Sequence, residues 1–284
     1  MKLKINLLGM VLTGAVMAAT QGAAFGQESS MCDANTETAC VDWENGVAYG
    51  IGTGSPASWA KNAGQRNLTA QRGGKLDAAR NLLELIKGIQ LNSESSLDAE
   101  MSANDKIRTT VEGRLAGVRQ VGKPKYFSDG TIQIKLQASL REVVPAELFA
   151  EGAATKTWGP PDGGTGGINA SVVYTGLIID ARGKGLVPAM SPRVVDPKGE
   201  EVYGASFVSR EFAISQGVVG YGKNVDAAKK SDRVKGNPLV VKAVNASGAT
   251  KTDVVISQND ANALREIAQK QTFLKECRVM IVLD

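Results

Sequence analysis

The sequence predicts an α+β protein of two domains, each a small, mainly antiparallel sheet with helices packed on one face. Three observations carry that expectation. Leu76, Ala79, Leu82, Leu83, Ile86 and Ile89 recur at helical spacing, and Ile132, Ile134, Leu136, Ala138 and Leu140 alternate as on one face of a strand. Beyond the Gly- and Pro-rich run at 158–167 the texture changes to short stretches rich in β-branched residues.

Taken in order, folding is expected to begin near Trp43. Residues 47–54 alternate and end in Gly and Pro, which predicts a strand, and Gly73-Gly74 punctuates the chain before the helix carrying Leu82 and Ile86. Residues 97–101 read as extended. Asn104 or Ser102 is placed to cap a second helix with Ile107, Val111 and Leu115 on one stripe, ending near Gly117. Residues 118–126 and 131–140 read as two strands joined at Asp129-Gly130.

In the second half, strands are expected at 172–180, 193–195, 201–203, 218–221, 239–244 and 253–256, with Asp196-Pro197-Lys198-Gly199 closing a hairpin. Ser257 with Asp260 resembles a capping box, and Ala261, Leu264, Ile267, Ala268 and Leu274 supply the apolar stripe of the helix that follows. The run at 278–283 predicts a buried final strand.

The first 26 residues have the form of a secretory signal. Lys2 and Lys4 precede a short apolar core, and Ala24-Phe25-Gly26 offers small residues for cleavage before Gln27. The expected organisation is a signal peptide at 1–26, a flexible leader at 27–42, a first domain at 43–150, a linker at 151–170 and a second domain at 171–284. Export to the periplasm follows as an expectation, with no transmembrane segment left after cleavage.

Composition narrows the chemistry. The chain of 284 residues carries a formal charge of +4, and losing Lys2 and Lys4 leaves +2, too slight a bias to argue for nucleic acid. It contains no histidine, which removes serine triads, Cys-His pairs and His-zinc sites. No cofactor or metal is expected. Of the three cysteines, Cys32 and Cys40 are close enough to form a disulfide in an oxidising compartment, and Cys277 has the setting of a buried thiol.

Two glycine-rich stretches approach known motifs without completing them. Residues 217–224 have the glycine and lysine spacing of a phosphate-binding loop, but Asn224 stands where magnesium needs a hydroxyl. A strand ending in a Gly-rich turn accounts for the same residues. Gly50, Gly52 and Gly54 suggest a dinucleotide fingerprint until Ser55 and Pro56 break it, and close backbone approach is the better explanation. Lys223, Lys229, Lys230, Arg233 and Lys235 form a basic cluster that reads first as a solvated face, and otherwise as a surface for an acidic partner or a phospholipid membrane. Asp180, Asp196, Glu200, Glu201 and Asp253 lie near expected strand ends with no two paired by sequence as acid and base, so no catalytic residue is assigned.

The stretch from Trp43 to about Leu140 resembles the module shared by LPP-type envelope lipoproteins and the N-terminal domain of flagellar assembly protein T. The likeness lies in Gly50-Ile51-Gly52, the run from Ala78 to Ile89, the helix around Ile107 to Val111, and Ser128 to Ile132. It implies a small α+β module in periplasmic or outer-membrane-associated proteins, with no catalytic residues to transfer. Ser29-Ser30-Met31 before Cys32 departs from a lipobox, so the lipid anchor of that family is not expected here. Residues 174–183 are similar to a segment of exported bacterial proteins with no assigned activity. The expectation is a non-enzymatic periplasmic protein that binds other envelope proteins, or itself, in flagellar or outer-membrane assembly. The alternative is an exported small-ligand binder or carboxylate-dependent enzyme with a cleft between the domains.

Overall fold

The computed structural model describes residues 38–150 and 152–284. The signal, most of the leader and Cys32 fall outside the described residues, and the expected pairing of Cys32 with Cys40 lies outside them too. The first module contains β1 (Ala39–Asp42), β2 (Val47–Gly54), α1 (Ala63–Lys87), α2 (Leu97–Ala103), α3 (Asp105–Ala116), β3 (Arg119–Gln120), β4 (Lys125–Tyr126) and β5 (Ile132–Ser139). Its sheet runs β1-β2-β5-β3, with β4 also on β5, and every pairing is antiparallel. Among the described residues the first strand begins at Ala39, four residues before Trp43, because the end of the expected leader pairs with β2.

Glycine placement decides how α1 meets this sheet. Gly50, Gly52 and Gly54 all face the helix, and a Cβ on Gly52 would lie 1.9 Å from the backbone nitrogen of Ala78. The helix answers with Ala70, Gly74, Ala78, Leu82 and Ile86, buried at four-residue intervals. Two expectations change as a result. Gly73-Gly74 lies inside the helix, where Gly74 fits against Gly54 and Ile132, and the helix starts earlier, capped by the side chain of Asn62. Leu76, expected in the buried stripe, is 63% exposed, since the contact face is set by small residues on the opposite side of the helix.

Residues 97–101 also depart from expectation. Ser96 accepts the Ala99 N–H and starts α2, a helix rather than an extended segment. Asn104 caps α3 through the N–H groups of Lys106 and Ile107. The expected strand at 118–126 is broken into β3 and β4 around Gly122, whose φ is +70°. Two single-turn helices, α4 (Leu140–Val143) and α5 (Ala146–Phe149), close the module.

The Gly- and Pro-rich stretch, expected as the linker between the domains, is strapped to the second module. Trp158 donates its indole N–H to the Val202 carbonyl at 2.8 Å and stacks on Phe207. Asn262 accepts the Asp162 N–H and donates to the Gly164 carbonyl, and Lys198 pairs with Asp162 at 2.7 Å. Main-chain groups that glycine leaves bare are satisfied by side chains of the module beneath, which turns a flexible composition into an ordered path.

The second module contains β6 (Leu177–Asp180), β7 (Val194–Val195), β8 (Glu201–Tyr203), α6 (Arg210–Gln216), β9 (Gly220–Gly222), α7 (Val225–Ala228), β10 (Leu239–Ser247), β11 (Asp253–Ile256), α8 (Gln258–Lys270) and β12 (Val279–Val282). The sheet order is β8-β7-β11-β10-β6-β12-β9. The α+β class holds, but this sheet is mixed rather than mainly antiparallel. β6 with β10, β6 with β12, β9 with β12 and β7 with β11 are parallel pairs. Parallel neighbours need crossover connections, and the helix α8 before β12 supplies one. β12 is buried along its whole length between β6 and β9.

The two modules share one hydrophobic core, which runs from Ala48 and Leu82 to Leu177 and Ile281. Main-chain hydrogen bonds cross the seam from Met190 to Gln90 and from Ser191 to Leu91. Arg193 adds a bond to Ser93 while holding Asp253.

Candidate functional site

The segment that approaches a phosphate loop becomes β9 and the turn into α7. Asn224 accepts hydrogen bonds from the N–H groups of Asp226 and Ala227, the donors an incoming phosphate would need, and α7 has only four residues. The stretch builds a strand and a capped turn.

Nor do the five basic residues form one free patch. Lys229 pairs with Asp226 at 3.2 Å and Lys235 with Asp232 at 3.7 Å. Arg233 turns inward, donating to the carbonyls of Cys277, Gly217 and Gln216. Burial presses its pKa below the usual guanidinium value, so it is a structural cross-link between the end of α6 and the start of β12. Lys223 follows β9 and Lys230 stays exposed. The two acid partners sit three residues before their lysines, a helical spacing visible in the sequence.

Between the modules lies a cleft, the feature that the alternative reading of the sequence expects without naming its lining. Trp43, Leu140 and Arg141 face Met190, Gln216 and Tyr221 across a space of about 90 Å³. The Trp43 and Tyr221 rings meet edge to face at 5.4 Å. The Tyr221 hydroxyl donates to the Ala189 carbonyl and accepts the Ala189 N–H, which fixes the ring, and burial raises its pKa. An adjoining hollow of about 390 Å³ shares Glu44, Asn45, Gly220, Tyr221 and Arg233 and is rimmed by Lys230. A larger groove of about 800 Å³ lies where β3 forks from β5, lined by the first module alone around Arg114, Arg119 and Glu142. The seam cleft is the better candidate because both modules build it on an aromatic floor.

Each of the five carboxylates noted in the sequence meets a cation. Asp180 binds Arg182 and Asp253 binds Arg193, each at 2.7 Å; Glu201 binds Lys156 at the same distance. Arg265 holds Asp196 at 2.8 Å and Glu200 at 3.3 Å. These pairs fasten strand ends to their surroundings. Cys277 is buried, and burial pushes its thiol up to about 11.

The geometry defines an α+β protein of two modules welded along a shared core. Residues 176–284, nearly the whole second module, match the family described as Treponema pallidum Tp0624, second domain. That match lies outside residues 43–140, which carry the resemblance to the LPP-type and flagellar assembly modules. No curated protein matches the chain.

Proposed function

We propose that this chain is a non-enzymatic periplasmic protein that binds other envelope proteins, or a second copy of itself, in flagellar or outer-membrane assembly. The observation that carries this reading is the seam cleft, where Trp43 and Tyr221 form an apolar floor and Glu44, Arg141 and Lys230 stand at the rim. An apolar centre with a charged border is the anatomy of a protein contact. The five carboxylates noted in the sequence support the same reading, since each is held by a cation. The secretory pattern of residues 1–26 supports the compartment.

Fractionation combined with in-cell photo-crosslinking from positions 44 and 230 tests the proposal. The expected result is periplasmic material crosslinked to an envelope protein or to a second copy. A lone monomer with no crosslink from either position overturns it. The 390 Å³ hollow favours one rival, a small-ligand site. A thermal shift with a nucleotide, sugar or cell-wall fragment that vanishes in Lys230→Ala would establish that rival.

A further inference from the structure

The first module ends in a tip whose chemistry differs from the rest of the surface. β2 stops at Gly54, packed against Ala70 and Gly74, so the residues of α1 from Ala63 to Thr69 overhang the sheet by about 10 Å. Residues 61–68 are exposed without interruption, as are residues 125–130 around the turn into β5. The two segments meet at this end, where Pro56 packs on Gly130 and Gln71 donates to the Tyr126 hydroxyl.

Large apolar side chains stand out in solvent there. Trp59 is 65% exposed and Tyr126 is 60% exposed, with Leu68, Leu76 and Phe127 also uncovered. Leu68, Arg72 and Leu76 share one stripe of α1 at four-residue spacing. The Ala57 N–H donates to Thr69 Oγ1, which brings the Trp59 loop to the same helix.

The charge is equally one-sided. Lys61, Arg66, Arg72, Lys75, Lys123 and Lys125 surround these residues, and none of the six makes an ion pair among the described residues. Against them stand only Asp77, which accepts the Thr53 N–H, and Asp129, which accepts the Thr131 N–H. The balance is +4, equal to the formal charge of the whole chain. Elsewhere among the described residues eleven lysines and arginines are paired with acids.

We infer that this tip docks on the surface of an anionic phospholipid bilayer. Aromatic rings and leucines enter the headgroup layer, where their apolar bodies leave water and polar edges stay wet, while the unpaired cations meet lipid phosphates. A lipid surface fits better than an acidic protein because large exposed apolar side chains and unpaired cations are interleaved at this end, a mixture that a headgroup layer over acyl chains satisfies at once. The inference goes beyond the proposed function: it concerns a different face and needs no protein partner.

The test is co-sedimentation with vesicles of phosphatidylcholine alone and with equimolar phosphatidylglycerol. All variants carry the same N-terminal segment, so its contribution is common to every arm. The protein is expected to pellet with the anionic vesicles only, and less as salt is raised. Arg66→Glu with Arg72→Glu should weaken that partition by more than about tenfold, since each basic residue near an anionic surface contributes roughly fivefold. Trp59→Ala should weaken it as well. Lys229→Glu with Lys235→Glu, remote and already paired in the native protein, should leave it unchanged. An unaltered thermal midpoint in the variants shows that the exposed changes leave the fold intact. No pelleting, equal pelleting with neutral vesicles, or undiminished binding by the Arg66 and Arg72 variant overturns the inference.

Discussion

Gly52 of β2 and Ala78 of α1 touch backbone to backbone, with no room for a side chain between them: an added Cβ would sit 1.9 Å from the Ala78 nitrogen. The neighbouring atoms are main chain, so they cannot swing aside. Gly52→Ala is expected to cost several kcal/mol, about 3 or more, by prising helix from sheet. Gly113→Ala makes the contrasting case. Gly113 lies within α3 with no atom within 4 Å of a new Cβ, and the change should stabilise by about 0.5–1 kcal/mol. Urea titration of both variants checks the pair, and equal midpoints would refute the packing argument.

Asp196 and Arg265 form the most enclosed ion pair, with side chains 0% and 9% exposed. Burial alone would raise the Asp196 pKa. The Arg265 guanidinium and the N–H groups of Glu200 and Lys198 outweigh it and hold the carboxyl below its ordinary value. A carboxyl whose folded pKa is depressed contributes stability above its unfolded pKa, near 3.9, and that stability is lost as pH falls through the folded value. Arg265→Ala should therefore destabilise by about 3–5 kcal/mol at neutral pH, leaving a buried carboxylate unpaired. Arg182→Ala, at an exposed pair with Asp180, should cost under about 1 kcal/mol. Thermal melts from pH 7 to pH 3 check both, and the gap between Arg265→Ala and the native protein should narrow at the acid end.

The sequence makes the local elements legible where a single chain segment decides them. β11 and β8 fall at 253–256 and 201–203, where the β-branched runs place them, and Ser257 caps α8 as its box predicts. Pairing direction is not local, and this is why the mixed character of the second sheet escaped: β12 finds β6 and β9 across about sixty to a hundred residues of chain. The stripe of α1 was misjudged at Leu76 for a similar reason. Helical periodicity finds the greasiest face, whereas the glycines of β2, some twenty-five residues earlier, demand the smallest one. A cleft between the domains was among the expectations, but its floor was not legible because Trp43 and Tyr221 are far apart in sequence. One signal for the basic tip was present throughout: no acidic residue occurs from Asn45 to Leu76, although four cations do.

Cys277 is expected to be inert in the folded protein. It is fully buried, its thiol is pushed up to about 11 by burial, and thiolate is the reactive form. A thiol reagent at pH 8 should label it only after unfolding, so the labelling rate should follow denaturant concentration through the unfolding transition. Rapid labelling of the native chain at this position, located by peptide mapping, would contradict the burial.

Trp158 guards an open sheet edge. β8 is the last strand of its sheet, and the outward carbonyl of Val202 would offer an acceptor to any passing strand if the Trp158 indole did not occupy it at 2.8 Å. Trp158→Phe keeps a ring against Phe207 but removes the donor, so it isolates the hydrogen bond from the stacking. The expected cost is about 1–3 kcal/mol, the range for a buried acceptor left without its partner. Trp158→Ala loses the packing too and should cost about 3–5 kcal/mol. Both should raise the tendency to self-associate through β8, with Ala the stronger because it also loosens the strap. Urea unfolding gives the energies and light scattering of the folded protein gives the association. Stability equal to the native protein in Trp158→Phe, together with no added scattering in either variant, would mean that the strap merely crosses this edge and does not protect it.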